Sequence, residues 1–162
     1  EVEYSADAFI IEEDNVVIVS RDGWVKRQKE VKDLSTTRLR EGDSVLAAVA
    51  GSTRATVVFF SNFGVAYTSR IVDVPASTGY GDPIQKLFKL KDGERIVAAF
   101  SLDPRVAKKI EAKKEGDAPP LHAIGMTSDG YATRFSLQPY VEVSTRSGRR
   151  YARVAEIGRA HV

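Results

Sequence analysis

Three times along this chain a short apolar run meets a Ser or Thr, two variable residues and a glycine. Each time it is answered by a run in which apolar and polar positions alternate. The segments are NVVIVSRDGWVKRQ (15–28), TVVFFSNFGVAYTS (56–69) and HAIGMTSDGYATRF (122–135), and they superpose on Gly23, Gly64 and Gly130. β-Branched and aromatic residues on both sides of a polar turn closed by glycine predict a β-hairpin, because such a turn needs a positive φ that glycine adopts without strain. A further strand is predicted after the first two hairpins, where Glu41-Gly42-Asp43-Ser44-Val45-Leu46-Ala47-Ala48 is echoed by Asp92-Gly93-Glu94-Arg95-Ile96-Val97-Ala98-Ala99. Gly148 falls at the corresponding place of the third copy, which then lacks its final strands; residues 156–162 do not continue the repeat and read as foreign to the native chain.

This pattern gives one domain of three units, 7–51, 52–121 and 122–157. The longer middle spacing is absorbed by an insertion around Ala76 to Pro83 and by Asp103 to Pro120. The second of these has helical composition, with Val106, Ala107 and Ile110 set among Lys108, Lys109, Lys113 and Lys114, and reads as a short surface helix or a mobile loop. Repeated antiparallel units of this size predict an all-β, propeller-like array of about three blades, forming an open or partial arc.

Composition narrows the chemistry. The 162 residues carry a formal charge of +2, with 28% charged and 43% apolar residues, which excludes disorder. No apolar run approaches the ~18 residues of a membrane span. A chain of this length builds its core without a disulfide or metal staple. The absence of cysteine removes thiolate nucleophiles, iron–sulfur clusters and Cys-ligated zinc. His122 and His161 lie far apart with no partner at a recognisable spacing, so neither a metal site nor a catalytic residue is predicted. The chain opens at Glu1 with no targeting segment and reads as a piece of a longer protein.

Charge is unevenly placed. Residues 1–14 hold six acidic and no basic residues, whereas 21–40 hold seven basic against three acidic, and 131–162 six basic against two acidic. Local charge of this kind is what a polyanion feels.

The residues also resemble a known family. Asp7-Ala8-Phe9-Ile10-Ile11-Glu12-Glu13-Asp14-Asn15-Val16-Val17, followed by Ser20-Arg21-Asp22-Gly23-Trp24-Val25-Lys26-Arg27, resembles the opening of the C-terminal domain of the A subunit of bacterial type IIA topoisomerases, DNA gyrase and topoisomerase IV. The middle unit is similar to a blade of that domain. Its matching residues are Phe60-Ser61-Asn62-Phe63-Gly64-Val65-Ala66-Tyr67, Val74-Pro75, Gly81-Asp82-Pro83-Ile84 and Leu87-Phe88-Lys89-Leu90 before Gly93-Glu94-Arg95-Ile96. The resemblance implies a β-pinwheel whose blades exchange strands, and a non-catalytic domain that binds and bends duplex DNA on a basic outer rim. It implies as partners double-stranded DNA and, in the bacterial cytoplasm and nucleoid, the B subunit of an A2B2 enzyme with the rest of the A subunit. ATP and Mg²⁺ would be used elsewhere in that enzyme, with no cofactor in this domain. Gyrases of the family carry a basic, glycine-rich heptapeptide after the first hairpin; here that stretch reads KEVKDLSTTRLREGDS, which favours the topoisomerase IV type.

On this reading the phosphate contacts are Lys26, Arg27, Lys29, Lys32, Arg38 and Arg40 in the first unit and Arg70, Lys86 and Lys89 in the middle one. Arg134, Arg146, Arg149, Arg150 and Arg153 complete the set. Phosphate neutralisation by dispersed cations is independent of sequence and needs no base-reading helix. The plainer alternatives are a solvated strand face and a propeller-type protein-interaction module without DNA binding. Trp24, Tyr67 and Tyr131 are expected to pack between blades. Asp43, Asp92 and Glu94 form no carboxylate pair suited to acid–base work. The acidic leader supplies either an extra strand to the third unit or a frayed linker.

Overall fold

The computed structural model of the chain describes residues 10–106 and 122–153 and the backbone of 160–161. The leader before Ile10 and most of the helix-like stretch after Asp103 therefore lie outside the described residues. The first hairpin is β1 (Asp14–Ser20) and β2 (Trp24–Gln28), followed by β3 (Val45–Ser52). The second is β4 (Thr56–Ser61) and β5 (Val65–Arg70), followed by β6 (Asp82–Pro83) and β7 (Ile96–Ser101). The third is β8 (His122–Thr127) and β9 (Ala132–Ser136), followed by β10 (Arg149–Arg150) and β11 (Ala160–His161).

The hairpin turns account for the repeated residues. Gly23, Gly64 and Gly130 have φ of 84°, 78° and 94°. Their N–H groups donate to the carbonyls of Ser20, Ser61 and Thr127 at 3.0, 3.2 and 3.1 Å. The hydroxyl of each of those residues accepts from the N–H just after the glycine, that of Trp24 at 3.1 Å, Val65 at 3.4 Å and Tyr131 at 3.1 Å. A hydroxyl three residues before the glycine thus satisfies a backbone donor that the turn would leave unpaired.

Pairing gives sheets in the orders β3-β1-β2-β6, β10-β5-β4-β7 and β11-β8-β9. On one side β3 packs against β7, and β7 touches β11. On the other side each four-stranded sheet is completed by an arm from the next unit. Trp24 and Val25 pair with Pro83 and Asp82, and Val65 and Ala66 with Arg150 and Arg149. The sheets therefore do not coincide with the units of sequence.

Three expectations change as a result. Ala76 to Pro83 is not an insertion but the donated arm, and it recurs as Val143 to Arg150, with Ser77-Thr78 and Gly81 matched by Ser144-Thr145 and Gly148. The Ser77 N–H donates to Arg27 O at 3.2 Å and the Ser144 N–H to Thr68 O at 3.0 Å; beyond the glycines, Ile84 N–H reaches Gly23 O and Tyr151 N–H reaches Gly64 O, both at 2.8 Å. Gly148 is accordingly the counterpart of Gly81, not of Gly42 or Gly93. Lastly, Ala160 and His161 pair with Thr127 and Met126 on the side of β8 where β3 and β7 stand in the other sheets. The end of the chain does continue the repeat.

Alternation along β4 builds the core. Val57 and Phe59 point into a cluster with Val17, Val19, Val25, Tyr67, Ile71, Val74, Ile84 and Phe88, between the first and second sheets. Val58 and Phe60 point the other way, to Ala66, Ala123, Leu137, Tyr140 and Tyr151, between the second and third. A strand buried on both faces reads as an unbroken apolar run, which is what TVVFFS shows.

Candidate nucleic-acid interface

Lysine and arginine are sorted by strand. β1, β3, β4, β7 and β8 carry none, whereas β2 holds Lys26 and Arg27, β5 holds Arg70, β9 holds Arg134 and β10 holds Arg149 and Arg150. Strand cations are thus confined to the half of each sheet away from the β3–β7–β11 side. The loops beside the arms add more.

Lys26 is the exception within that set and corrects the expectation of a phosphate contact. It is only 2% exposed, and its ammonium donates to the carbonyls of Arg38 at 2.8 Å and Gly79 at 2.9 Å. Burial, with the charge of Arg38, holds its pKa below the ordinary lysine value. Three residues after the turn glycine, it fills the place that Tyr67 fills in the second sheet, and there it ties the 29–44 loop to the arm of the second unit. Lys26→Met should therefore cost about 1–3 kcal/mol of stability by leaving two carbonyls unpaired. It should leave the DNA affinity of the folded fraction unchanged, checked by urea unfolding beside a binding titration.

Arg27 is half-buried and also works inside the fold, donating from Nε to Val74 O at 2.7 Å and from Nη1 to Asn15 Oδ1 at 2.8 Å. Lys29, Lys32, Arg38 and Arg40 are exposed on the loop that follows. Lys29 faces Glu13 at 3.4 Å, and Arg40 lies over the Trp24 ring at 4.9 Å. Lys32 and Arg38 line a groove of about 530 Å³ with Gln28, Thr36, Thr37 and Thr78. Glu30 and Asp33 line the same groove, the Thr36 hydroxyl donates to Asp33 O at 2.8 Å, and the Thr37 hydroxyl is buried.

A second group gathers where the two arms meet. Lys89 N–H donates to Arg146 O at 2.8 Å, Arg146 Nη2 reaches Gln85 O at 3.4 Å, and Lys86 pairs with Asp82 at 3.0 Å. Arg149 is absorbed in structure, its guanidinium donating to the carbonyls of Glu142 and Val143 at 2.7 and 3.0 Å and, more weakly, Pro139. Arg150 beside it is exposed and has no ion pair among the described residues. Arg134 is exposed on β9, Arg153 lines a hollow with Tyr131 and Thr133, and Arg70 stands apart with Asp73 at 3.3 Å. Arg21 and Arg95, absent from the sequence-based set, line one further hollow. Arg21 lies in the first hairpin turn, whereas Arg95 reaches the second only through the fold, its carbonyl accepting from the Asn62 N–H at 3.0 Å.

The aromatic residues divide. Tyr67 packs between sheets as expected, its hydroxyl donating to Glu94 Oε2 at 2.7 Å, while Trp24 is covered by Arg40 and Tyr131 is exposed. Glu94 is itself buried, accepting also from the Ser61 hydroxyl at 2.6 Å and the Lys91 N–H at 2.9 Å, a structural use of the carboxylate. At the other junction Asp103 is buried and accepts from Arg105 and from the Ser52 N–H at 2.8 Å, while Arg105 also reaches Asp14. Hydrogen bonding from Arg105, assisted by Ser52, holds the Asp103 carboxyl down at about 2. Since its folded value lies below the unfolded one, the stabilisation is complete above about pH 4 and is lost as pH falls towards 2, amounting to at most roughly 2 kcal/mol. Asp103→Asn should flatten the acid limb of a stability–pH curve in that window. Among the described residues, no group of three His, Cys, Asp or Glu side chains is placed to hold a metal ion, and no helix is long and apolar enough to cross a membrane.

Sheets finished by an arm from the next unit, joined along their inner strands and cationic along their outer ones, define a propeller-like β-pinwheel array. Residues 55–103 match the family model described as DNA gyrase C-terminal domain, beta-propeller. The A subunit of DNA topoisomerase 4 from Caulobacter vibrioides is 29% identical over 111 residues, covering 68% of this chain and 14% of the relative. The A subunit of DNA gyrase from Pseudomonas aeruginosa is 30% identical over 114 residues, covering 64% of this chain and 12% of the relative. Among solved structures, a C-terminal domain of DNA topoisomerase IV superposes with a TM-score of 0.74 at 17% identity, over 94% of this chain and 45% of that one. The E. coli ParC C-terminal domain superposes at 0.70 and 21%, over 91% and 54%. Residues 55–103 thus match a gyrase A C-terminal domain, and the chain is similar along about two thirds of its length to A subunits of topoisomerase IV and gyrase. It spans about one seventh of the curated relatives and about half of the solved domains.

Proposed function

We propose that this domain binds duplex DNA along its outer strands without catalysing a reaction, bending it and presenting it to the cleavage core of a type IIA topoisomerase. The observation that carries this reading is the sorting of cations, absent from β1, β3, β4, β7 and β8 and gathered on the outer strands and the loops beside the arms. Such a band neutralises phosphates irrespective of sequence. Bending a duplex along it costs on the order of 1–6 kcal/mol, which added contacts offset. Lys32, Arg38, Lys89, Arg134, Arg150 and Arg153 are the contacts best placed for this, because they are exposed and have no ion pair among the described residues. The B subunit, with the remainder of the A subunit, would be its partner in the bacterial cytoplasm, with ATP and Mg²⁺ used outside this domain.

The test is fluorescence anisotropy with linear, bent and crossed duplexes across a salt series. Arg150→Gln should weaken binding several-fold and reduce the slope of log affinity against log salt by about 1, as expected for one lost phosphate contact. Arg149→Gln should instead lower stability while leaving that slope in place. Affinity indifferent to salt would overturn the proposal and favour a protein-interaction module.

A further inference from the structure

The two arms carry different side chains over matching backbone. Ser77-Thr78-Gly79-Tyr80-Gly81 stands where Ser144-Thr145-Arg146-Ser147-Gly148 stands in the other, so the arm beside β2 has glycine in place of arginine and tyrosine in place of serine. Tyr80 belongs to neither apolar cluster and is 48% exposed, next to the outermost strand of the first sheet.

The ring is carried on a fixed turn. Gly79 N–H donates to the Ser77 hydroxyl at 2.9 Å, and Ser77 is tied to β2 twice, its N–H donating to Arg27 O at 3.2 Å and its carbonyl accepting from the Gln28 side-chain amide at 3.1 Å. On the other side, Gly81 has no room for a side chain over the Val25 carbonyl, and Ile84 N–H reaches Gly23 O. These ties hold the turn whether or not Lys26 is present. A tyrosine presented in this way has only its two side-chain torsions left to order on binding, which keeps the entropic cost of a contact low.

Cations stand beside it. Arg38 O and Gly79 O accept from the same Lys26 ammonium, and Arg38 shares a groove with Lys32 and Thr78. Of the acidic groups nearby, Asp33 accepts from the Ser35 N–H and hydroxyl at 2.9 and 2.8 Å, Asp82 pairs with Lys86, and Glu30 shares the groove with Lys32 and Arg38.

We propose, resting on the DNA-binding reading, that Tyr80 is a minor-groove contact: its ring lies between the sugar walls of the duplex while Arg38 neutralises a phosphate on the groove's edge. Width decides between the two grooves. A major groove about 12 Å wide takes a helix or a two-stranded ribbon and is not filled by one side chain on a turn, whereas a minor groove about 6 Å wide is. A duplex bent towards the protein narrows the minor groove that faces it, so the walls close on the ring as the bend forms. The guanine N2 amino group projects into that groove and obstructs a ring there, which favours A·T pairs at this position. Tyr80 thereby adds to a band of sequence-independent cations one place where base composition is read.

The experiment compares the full chain with Tyr80→Ala and Tyr80→Phe on duplexes whose central pairs are A·T, G·C or inosine·cytosine, by fluorescence anisotropy across a salt series. Inosine lacks the minor-groove amino group and leaves the major-groove pattern of a G·C pair unchanged. The parent chain and Tyr80→Phe should bind the A·T and inosine·cytosine duplexes about fivefold more tightly than the G·C duplex, the scale of one modest apolar contact. Tyr80→Ala should bind all three alike, as weakly as the parent binds G·C. Its slope of log affinity against log salt should be unchanged, because no phosphate contact is lost, and its melting temperature should equal the parent's. A parent chain that binds the three duplexes equally would overturn the proposal, as would an alanine variant that keeps the preference. So would a melting temperature that falls together with affinity, because the ring would then be a support of the arm. Salt-dependent binding without the preference leaves the DNA-binding reading standing and removes Tyr80 alone, whereas no binding to any duplex removes both.

Discussion

Gly81→Val is expected to lower the melting temperature by about 10 °C, a loss on the order of 3–5 kcal/mol at the 2–4 °C per kcal/mol typical of a domain this size. A Cβ at Gly81 would lie 2.2 Å from the Val25 carbonyl oxygen and 2.8 Å from Lys26 Cβ, and the residue sits at φ 79°. Both the contact and the backbone conformation exclude a β-branched side chain. The Val25 oxygen belongs to the acceptor strand and cannot retreat without breaking its own ladder, so the arm must lift. Ile84 N–H then loses Gly23 O, and Ile84 itself leaves the core between the first two sheets. The informative control is Gly130→Asn, where φ is 94° but nothing lies within 4 Å of the added Cβ, so the cost should stay near 1 kcal/mol. Thermal melts followed by circular dichroism compare the two. Equal melting temperatures would mean that the arm does not dock in this register.

Phe60→Ala is expected to cost about 3–5 kcal/mol, the range for a large aromatic removed from a packed interior. Phe60 is fully buried and stands edge-on to four rings, with centroids at 5.9 Å to Phe100, 5.6 Å to Phe135, 5.7 Å to Tyr140 and 4.9 Å to Tyr151. Three of those partners belong to the third unit, so the loss should fall on that unit. In an array whose stability is a sum over neighbouring contacts, the units then separate on unfolding. Trp24, the only tryptophan, reports the first unit. In the variant, circular dichroism should begin to change at lower denaturant than Trp24 fluorescence, whereas the two should coincide in the parent chain. Coincident transitions in both proteins would show that the cost is shared by the whole array.

The hairpins were legible because everything that makes them is local. Ser20, Ser61 and Thr127 each serve a turn whose other members lie within four residues, so the motif survives as a pattern in the chain. The two arms were not legible in that way. Their strands are two residues long, Asp82-Pro83 in one arm and Arg149-Arg150 in the other, and alternation has no length over which to show itself. Their signal lay in comparison, since Ser77-Thr78 and Gly81 have the spacing of Ser144-Thr145 and Gly148; a glycine after a polar stretch fits either place, so Gly148 aligns as readily with Gly42 and Gly93. Lys26 misleads for a different reason. Charge identifies a residue that costs free energy to bury, but two carbonyls at hydrogen-bond distance offset that cost, and neither carbonyl is near it in sequence. The separation of Arg149 from Arg150 has the same origin, because the acceptors of Arg149 come from the bend at 139–143.

Donation of each outer strand by the following unit also sets an order of events during synthesis. The first hairpin leaves the ribosome with its flank bare and stays so until Asp82 and Pro83 have been made; the second waits in turn for Arg149 and Arg150. A nascent chain therefore always carries one incomplete sheet edge, and that edge migrates towards the C-terminus as translation proceeds. Such an edge is where mispairing between neighbouring nascent chains would begin.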